Sequence, residues 1–172
     1  MSFWSTRQMT TLGLFSAVGI SLFVLESFIP TPLPFLKIGL ANISSLLALM
    51  LFGAREMFLV LAIRVVVGSV LTGSLFGPGF LLAISGGICS ALAMGGVRKI
   101  APGLFSVIGI SLVGSMTHVT VQFLFVLLFY VQNPAVLFLL PLLLASALAG
   151  GLVVGWISAR LIPILKSIRL AG

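Results

Sequence analysis

Acidic side chains are almost missing from this chain. Among 172 residues only Glu26 and Glu56 carry a carboxylate, and charged residues of both signs make up 6%. Soluble domains carry about a quarter, so no aqueous fold of this size suits the composition. Two acids also exclude chemistry that grips magnesium between clusters of aspartates. One cysteine, Cys89, excludes an intrachain disulfide and reads as ordinary packing. The single histidine, His118, has no neighbouring His, Cys or acid, so neither a metal nor another cofactor is expected. There is no phosphate-binding glycine loop, zinc motif or nucleophile elbow. The chain is therefore not expected to be an enzyme.

What remains is apolar. Hydrophobic residues are 60% of the chain, and several runs reach the roughly 20 residues needed to cross a bilayer. The expected fold is an all-α integral membrane protein, a single six-helix transmembrane domain over 1–172. The net charge of +7 sits mostly at the ends of apolar runs rather than on one wettable face. That pattern points to membrane topology, not to nucleic acid. The first apolar run lacks a cleavage site for a signal peptide and leads into a proline-rich stretch.

Six helices are expected, at about 10–28, 40–52, 56–72, 79–94, 103–130 and 135–161. Between the first two, Pro30, Pro32 and Pro34 forbid a regular helix and favour a rigid extended path. Residues 29–39 form either a structured loop over the outer mouth or a stiff connector. Gly95–Pro102 reads as a basic loop, and Pro163 as the start of a basic tail. Both termini are placed in the cytoplasm. Arg7, Arg55, Arg98, Lys99, Arg160, Lys166 and Arg169 then lie inside, and only Lys37 lies outside.

Arg64 falls about 12 Å along the third helix, at roughly 1.5 Å per residue, far from either rim. A guanidinium there needs a partner or water. It either bonds a neighbouring helix or offers a planar fork to an anionic ligand. Glu26 is a brace for Lys37 or Arg64, or an acceptor for ligand donors. Lys37 draws an anion to the mouth or ends a helix at the surface. Asn42 caps backbone donors or touches ligand. His118, Gln122 and Asn133 place polar atoms toward the outer half, and Phe35 packs a ring or a prenyl-like chain, or the core. Gly13, Ala17 and Ser21 recur every fourth residue, a stripe that lets another helix approach closely.

The segments PLPFLKIGLANISSLLALMLFG, LTGSLFGPGF and ISGG resemble the family called heptaprenyl diphosphate synthase component I, also the Gx transporter family. The resemblance covers about 10–165 and is most specific at KIGLANI. More distantly, the chain looks like the substrate-binding (S) component of an energy-coupling-factor transporter. That resemblance implies six helices in a bacterial or archaeal plasma membrane and a small nutrient, cofactor precursor or vitamin, anionic or aromatic, bound from outside. It implies closure of residues 29–41 over the ligand. It also implies docking of the Gly13–Ala17 face, with Gly in place of the usual first Ala, on a transmembrane coupling subunit driven by two ATPase subunits. Competing expectations are a non-catalytic membrane partner of isoprenoid or quinone synthesis, and a stand-alone carrier or channel.

Overall fold

The computed structural model describes residues 5–29 and 39–170. Every regular element among them is helical: α1 (Thr6–Ser27), α2 (Asn42–Leu51), α3 (Ala54–Leu71), α4 (Pro78–Ile100), α5 (Val107–Val126) and α6 (Leu140–Leu170). A π turn (Leu127–Val131) and a 3-10 helix (Pro134–Leu139) join α5 to α6. The expected loop over 29–39, with Phe35 and Lys37, lies almost wholly outside the described residues.

The helix starts follow local chemistry. Ser5 caps α1 through its hydroxyl, and Gln8 bonds back to the Ser5 N–H, a reciprocal capping box. Gly53, with φ at 137°, makes the tight turn into α3 that a side chain would strain. Pro78 sits in the first turn of α4, where its missing N–H costs nothing. The hydroxyl of Ser106 accepts from the Gly109 N–H and opens α5.

Three expected boundaries are corrected. The expected start of the first helix at residue 10 moves back to Thr6, because the Ser5–Gln8 box makes the polar lead-in helical. The expected loop over 95–102 is helical as far as Ile100. Arg98 and Lys99 lie in its last turn, where positive charge complements the helix dipole. The chain leaves the helix only at Ala101, whose helical conformation the following Pro102 disfavours. Finally, α6 does not stop at residue 161 but runs through Pro163 to Leu170. Pro163 faces outward, and the kink-prone step does not end the helix.

Contacts fix the directions of the helices. Along α1 and α3, Gly19 meets Arg64 and Gly68 meets Phe23, so these two run parallel. Leu40, just before α2, bonds Glu26 near the end of α1, while Phe52 at the end of α2 stacks edge-on against Phe15. Hence α2 runs against α1. Gly87 and Gly95 of α4 meet Leu61 and Met57 of α3, Gly86 and Met94 of α4 meet His118 and Gly114 of α5, and Gly151 and Gly155 of α6 meet Ser115 and Ile108 of α5. Successive helices therefore alternate in direction. Arg7, Arg55, Arg98, Lys99, Arg160 and Lys166 all gather at one end of the bundle.

The short helix is the hub. Residues 41–49 are all buried, and α2 packs against each of the other five α-helices. Around it α1, α3, α4, α5 and α6 form a wall, neighbour on neighbour. The wall has a seam between α6 and α1, whose backbones do not come together along their length. At the basic end of the seam Arg7 donates to the Ile168 carbonyl.

The surface is inverted relative to a soluble protein. Leu14, Leu25, Val70, Leu128 and Leu152 are exposed, while Arg64, Asn42, Gln122 and Ser158 are buried. Thr6–Ser27, Pro78–Ile100, Val107–Val131 and Pro134–Ile168 are long and apolar enough to cross a membrane. The ten residues of α2 reach only about 15 Å. The apolar run of the eighteen-residue α3 is broken by Arg64.

Candidate functional site

Four polar side chains far apart in sequence meet at the centre of the bundle. Glu26 comes from the last turn of α1, Asn42 from the first turn of α2, Arg64 from the middle of α3 and His118 from α5. All four line one small cavity, and each is at most 7% exposed.

Their positions have local causes. Gly19 is one: the Ser44 hydroxyl and the Arg64 stem occupy the space its side chain would need. A larger residue there would block Arg64 from passing α1. Gly86 is another: a Cβ would lie 3.1 Å from the His118 ring and 2.9 Å from Gln122. Gly39 is the third. Its φ of 92° suits glycine alone, and it sets the turn that delivers Leu40 and Asn42.

The polar contacts form a chain. Arg64 Nη2 donates to Asn42 Oδ1 at 2.9 Å. The Leu40 N–H donates to the Glu26 carboxylate. Glu26 and Arg64 attract one another electrostatically. In an apolar interior these opposite charges compensate each other, as a buried ion requires. Arg64 Nε has no hydrogen-bond partner among the described residues, so the guanidinium keeps unused donor capacity beside the cavity.

A second cavity lies toward α5 and α6, between Ser111, Ser115, Gly150 and Gly151, and it shares Gly39 and Asn42 with the first. Each cavity has about 10 Å³, roughly room for one water. Ser111 donates to the Gly151 carbonyl at 2.8 Å and Ser115 to the Ala147 carbonyl at 2.5 Å. Gly151 and Gly155 let α6 close onto Ser115 and Ile108. The described protein is thus closed around its polar centre.

Of the expected site residues, Glu26, Asn42, Arg64 and His118 come together. Gln122 lies one turn beyond His118, wholly buried, and donates to the Leu82 carbonyl at 3.2 Å. Asn133 stands apart: it is exposed, and its side chain caps the 3-10 helix through the Ala135 N–H. Phe35 and Lys37 lie outside the described residues. Sequence reasoning missed Ser111, Ser115 and the lining role of Gly39. The one signal for the serines was their four-residue spacing beside Gly114. Gly13, Ala17 and Ser21 form an exposed stripe on α1, and a Cβ on Gly13 would meet nothing within 4 Å. Among the described residues no group of three His, Cys, Asp or Glu side chains gathers to hold a metal.

Searches of curated proteins and of solved structures gave no match. The sequence model of one family does match, over residues 15–161, the greater part of the chain. That match is extensive, and the chain belongs to the family described as heptaprenyl diphosphate synthase component I.

Proposed function

We propose that this chain is the substrate-binding membrane subunit of an ATP-driven importer of the energy-coupling-factor type. It crosses the membrane six times with both termini in the cytoplasm and takes up a small nutrient or cofactor precursor. The observation that carries this reading is the enclosed cluster of Arg64, Asn42, Glu26 and His118. Polar and charged groups held at the centre of a membrane bundle are expensive, and a binding role accounts for their cost. A channel needs a continuous wet path, whereas these cavities are each of single-water size.

Orientation follows from the gathered basic end, which the positive-inside rule assigns to the cytoplasm. Glu26 and Asn42 then sit toward the outside. Although α2 is too short to span lipid alone, it is surrounded by protein and need not match the bilayer thickness. The exposed Gly13–Ala17–Ser21 stripe supports docking on a coupling subunit, with ATP hydrolysis supplied by two partner ATPases. The chain itself is non-catalytic in this reading.

A second reading, suggested by the words of the family description, is a non-catalytic membrane partner of isoprenoid synthesis. Gentle purification of the tagged chain from its native membrane separates the two. Co-purifying coupling and ATPase subunits support the importer. A co-purifying prenyltransferase, with no ATPase, overturns it.

A further inference from the structure

The seam between α1 and α6 is filled unevenly. Deep in the bundle α2 packs on both flanking helices and closes it. But α2 has ten residues and ends at Leu51, while α1 begins at Thr6 and α6 runs to Leu170. The hub stops before the wall does. Beyond its end, toward the basic end of the bundle, a groove of about 450 Å³ opens between the two helices. Leu51 and Phe52 roof it, and Phe52 is held there by its edge-on contact with Phe15.

The groove is graded along its length. At the mouth are Ser5, Arg7 and Gln8 of α1, and Arg7 donates across the seam to the Ile168 carbonyl of α6. Leu14 lies two turns farther along α1, about 10 Å inward at roughly 1.5 Å per residue. Because α6 runs against α1, Leu165 is likewise deeper than Ile168. Polar groups therefore give way to apolar ones with depth. Leu14 and Ile168 are each 59% exposed, so the groove is open sideways to the surrounding lipid.

The charge at this end has one sign whatever pairs form there. Arg7, Arg55, Arg98, Lys99, Arg160 and Lys166 gather at it, against the one side-chain carboxylate of Glu56. The other acid of the chain, Glu26, lies near the far end of α1. An ion pair to Glu56 thus neutralises a single cation of the group. Among the described residues no carboxylate lines the groove.

We propose that this groove binds one anionic phospholipid of the leaflet that meets the basic end: its phosphate is held at Arg7, and one acyl chain lies in the seam against Leu14, Phe52 and Leu165, completing the wall where α2 falls short. The site is separate from the central cavities, and it holds for an importer subunit and for a partner of isoprenoid synthesis alike. A phospholipid has the same polar-to-apolar order as the groove, in the same direction, and cations at the membrane surface attract anionic head groups. A partner helix fits less well. With a diameter of about 10–12 Å, it would place only about one turn in this volume.

The test is native mass spectrometry of the full chain, purified in a non-ionic detergent and offered dioleoyl phosphatidylglycerol, dioleoyl phosphatidylcholine or inorganic phosphate. One phosphatidylglycerol per chain is expected to survive activation that strips phosphatidylcholine. Phosphate alone is expected not to bind, because it has no chain to seat. Arg7→Gln is expected to lower the preference for phosphatidylglycerol about fivefold, the worth of one cation beside an anionic surface, and Arg7→Lys to keep most of it. Arg160→Gln, which removes a cation stacked on the exposed Trp156, is expected to change it little. Leu165→Trp fills the groove and is expected to weaken both lipids; Leu14→Trp replaces it if the first variant does not elute as a folded species. Equal retention of the two lipids, equal losses in Arg7→Gln and Arg160→Gln, or binding of phosphate alone overturns the proposal. So does crosslinking of Ile168→Cys to a second copy in a Cys89→Ala background, which assigns the groove to an interface between copies.

Discussion

Arg64 and Asn42, 22 residues apart, are joined by a 2.9 Å hydrogen bond between buried side chains of α3 and α2. With Glu26 they make an assembly whose parts are unequal in removal. Taking away Arg64 removes a positive charge that acts on the Glu26 carboxylate and the donor that Asn42 accepts from. Taking away Asn42 leaves both charges still facing one another.

Arg64→Met is expected to destabilise the protein by about 1–3 kcal/mol, because the buried Asn42 carboxamide oxygen loses the donor it accepts from. Adding Glu26→Gln should recover part of that loss, because the carboxylate acts electrostatically on Arg64 and the amide oxygen still accepts from Leu40. Thermal unfolding of the two single variants and the double variant in detergent measures the coupling. Equal, additive losses would show that the two residues do not compensate each other.

The α5–α6 contact should respond to small changes. A Cβ on Gly155 would lie 2.8 Å from the Ile108 Cα, against backbone that cannot rotate away. On Gly114 it would instead meet the flexible Met94 side chain. Gly155→Ala is expected to cost about 1–3 kcal/mol, typical of overpacking, and Gly114→Ala less. Gly13→Ala, with open space around it, should leave the melting temperature unchanged.

Two hydroxyls on α5 act on α6. Ser111→Ala and Ser115→Ala each remove a bond to an α6 carbonyl. Each is expected to cost about 0.6 kcal/mol, the average for such bonds between membrane helices. Helix separation followed by unfolding in mixed micelles reads this directly.

Gly13→Leu and Ala17→Leu place bulk on the exposed face of α1. Under the importer reading they should abolish uptake and co-purification of the coupling subunit while ligand binding persists. Loss of binding in the same variants would assign that face to the protein's own folding.

Much of the architecture was legible in the sequence because lipid imposes long apolar runs and polar punctuation. The turn expected over Gly73 to Gly79 is real as far as Gly77, and Gln132 and Asn133 separate the next two elements. Pro78 opens α4 as its position implied. Glycine and proline misled where burial or lipid replaced water as their surroundings. Gly95 and Gly96 continue a helix, and so does Pro163, because membrane helices tolerate residues that punctuate soluble ones. The convergence of Glu26, Asn42, Arg64 and His118 was only partly legible. Their chemistry stood out one residue at a time, but their meeting depends on Gly19 and Gly86, whose absent side chains decide how closely helices approach. No periodicity announces that. Asn133 misled for the opposite reason, since a polar residue beside Pro134 serves its own turn.

The enclosure of α2 also bears on how the chain is made. A ten-residue segment is too brief to cross lipid by itself as it leaves the ribosome. It packs most on α3 and then on α1 and α6, so it is expected to enter as one limb of a hairpin with α3 and to gain its remaining neighbours when α4 to α6 arrive. Its surroundings are thus completed only when α6 has followed, and truncation before α6 should leave the nascent protein exposed to quality-control proteolysis.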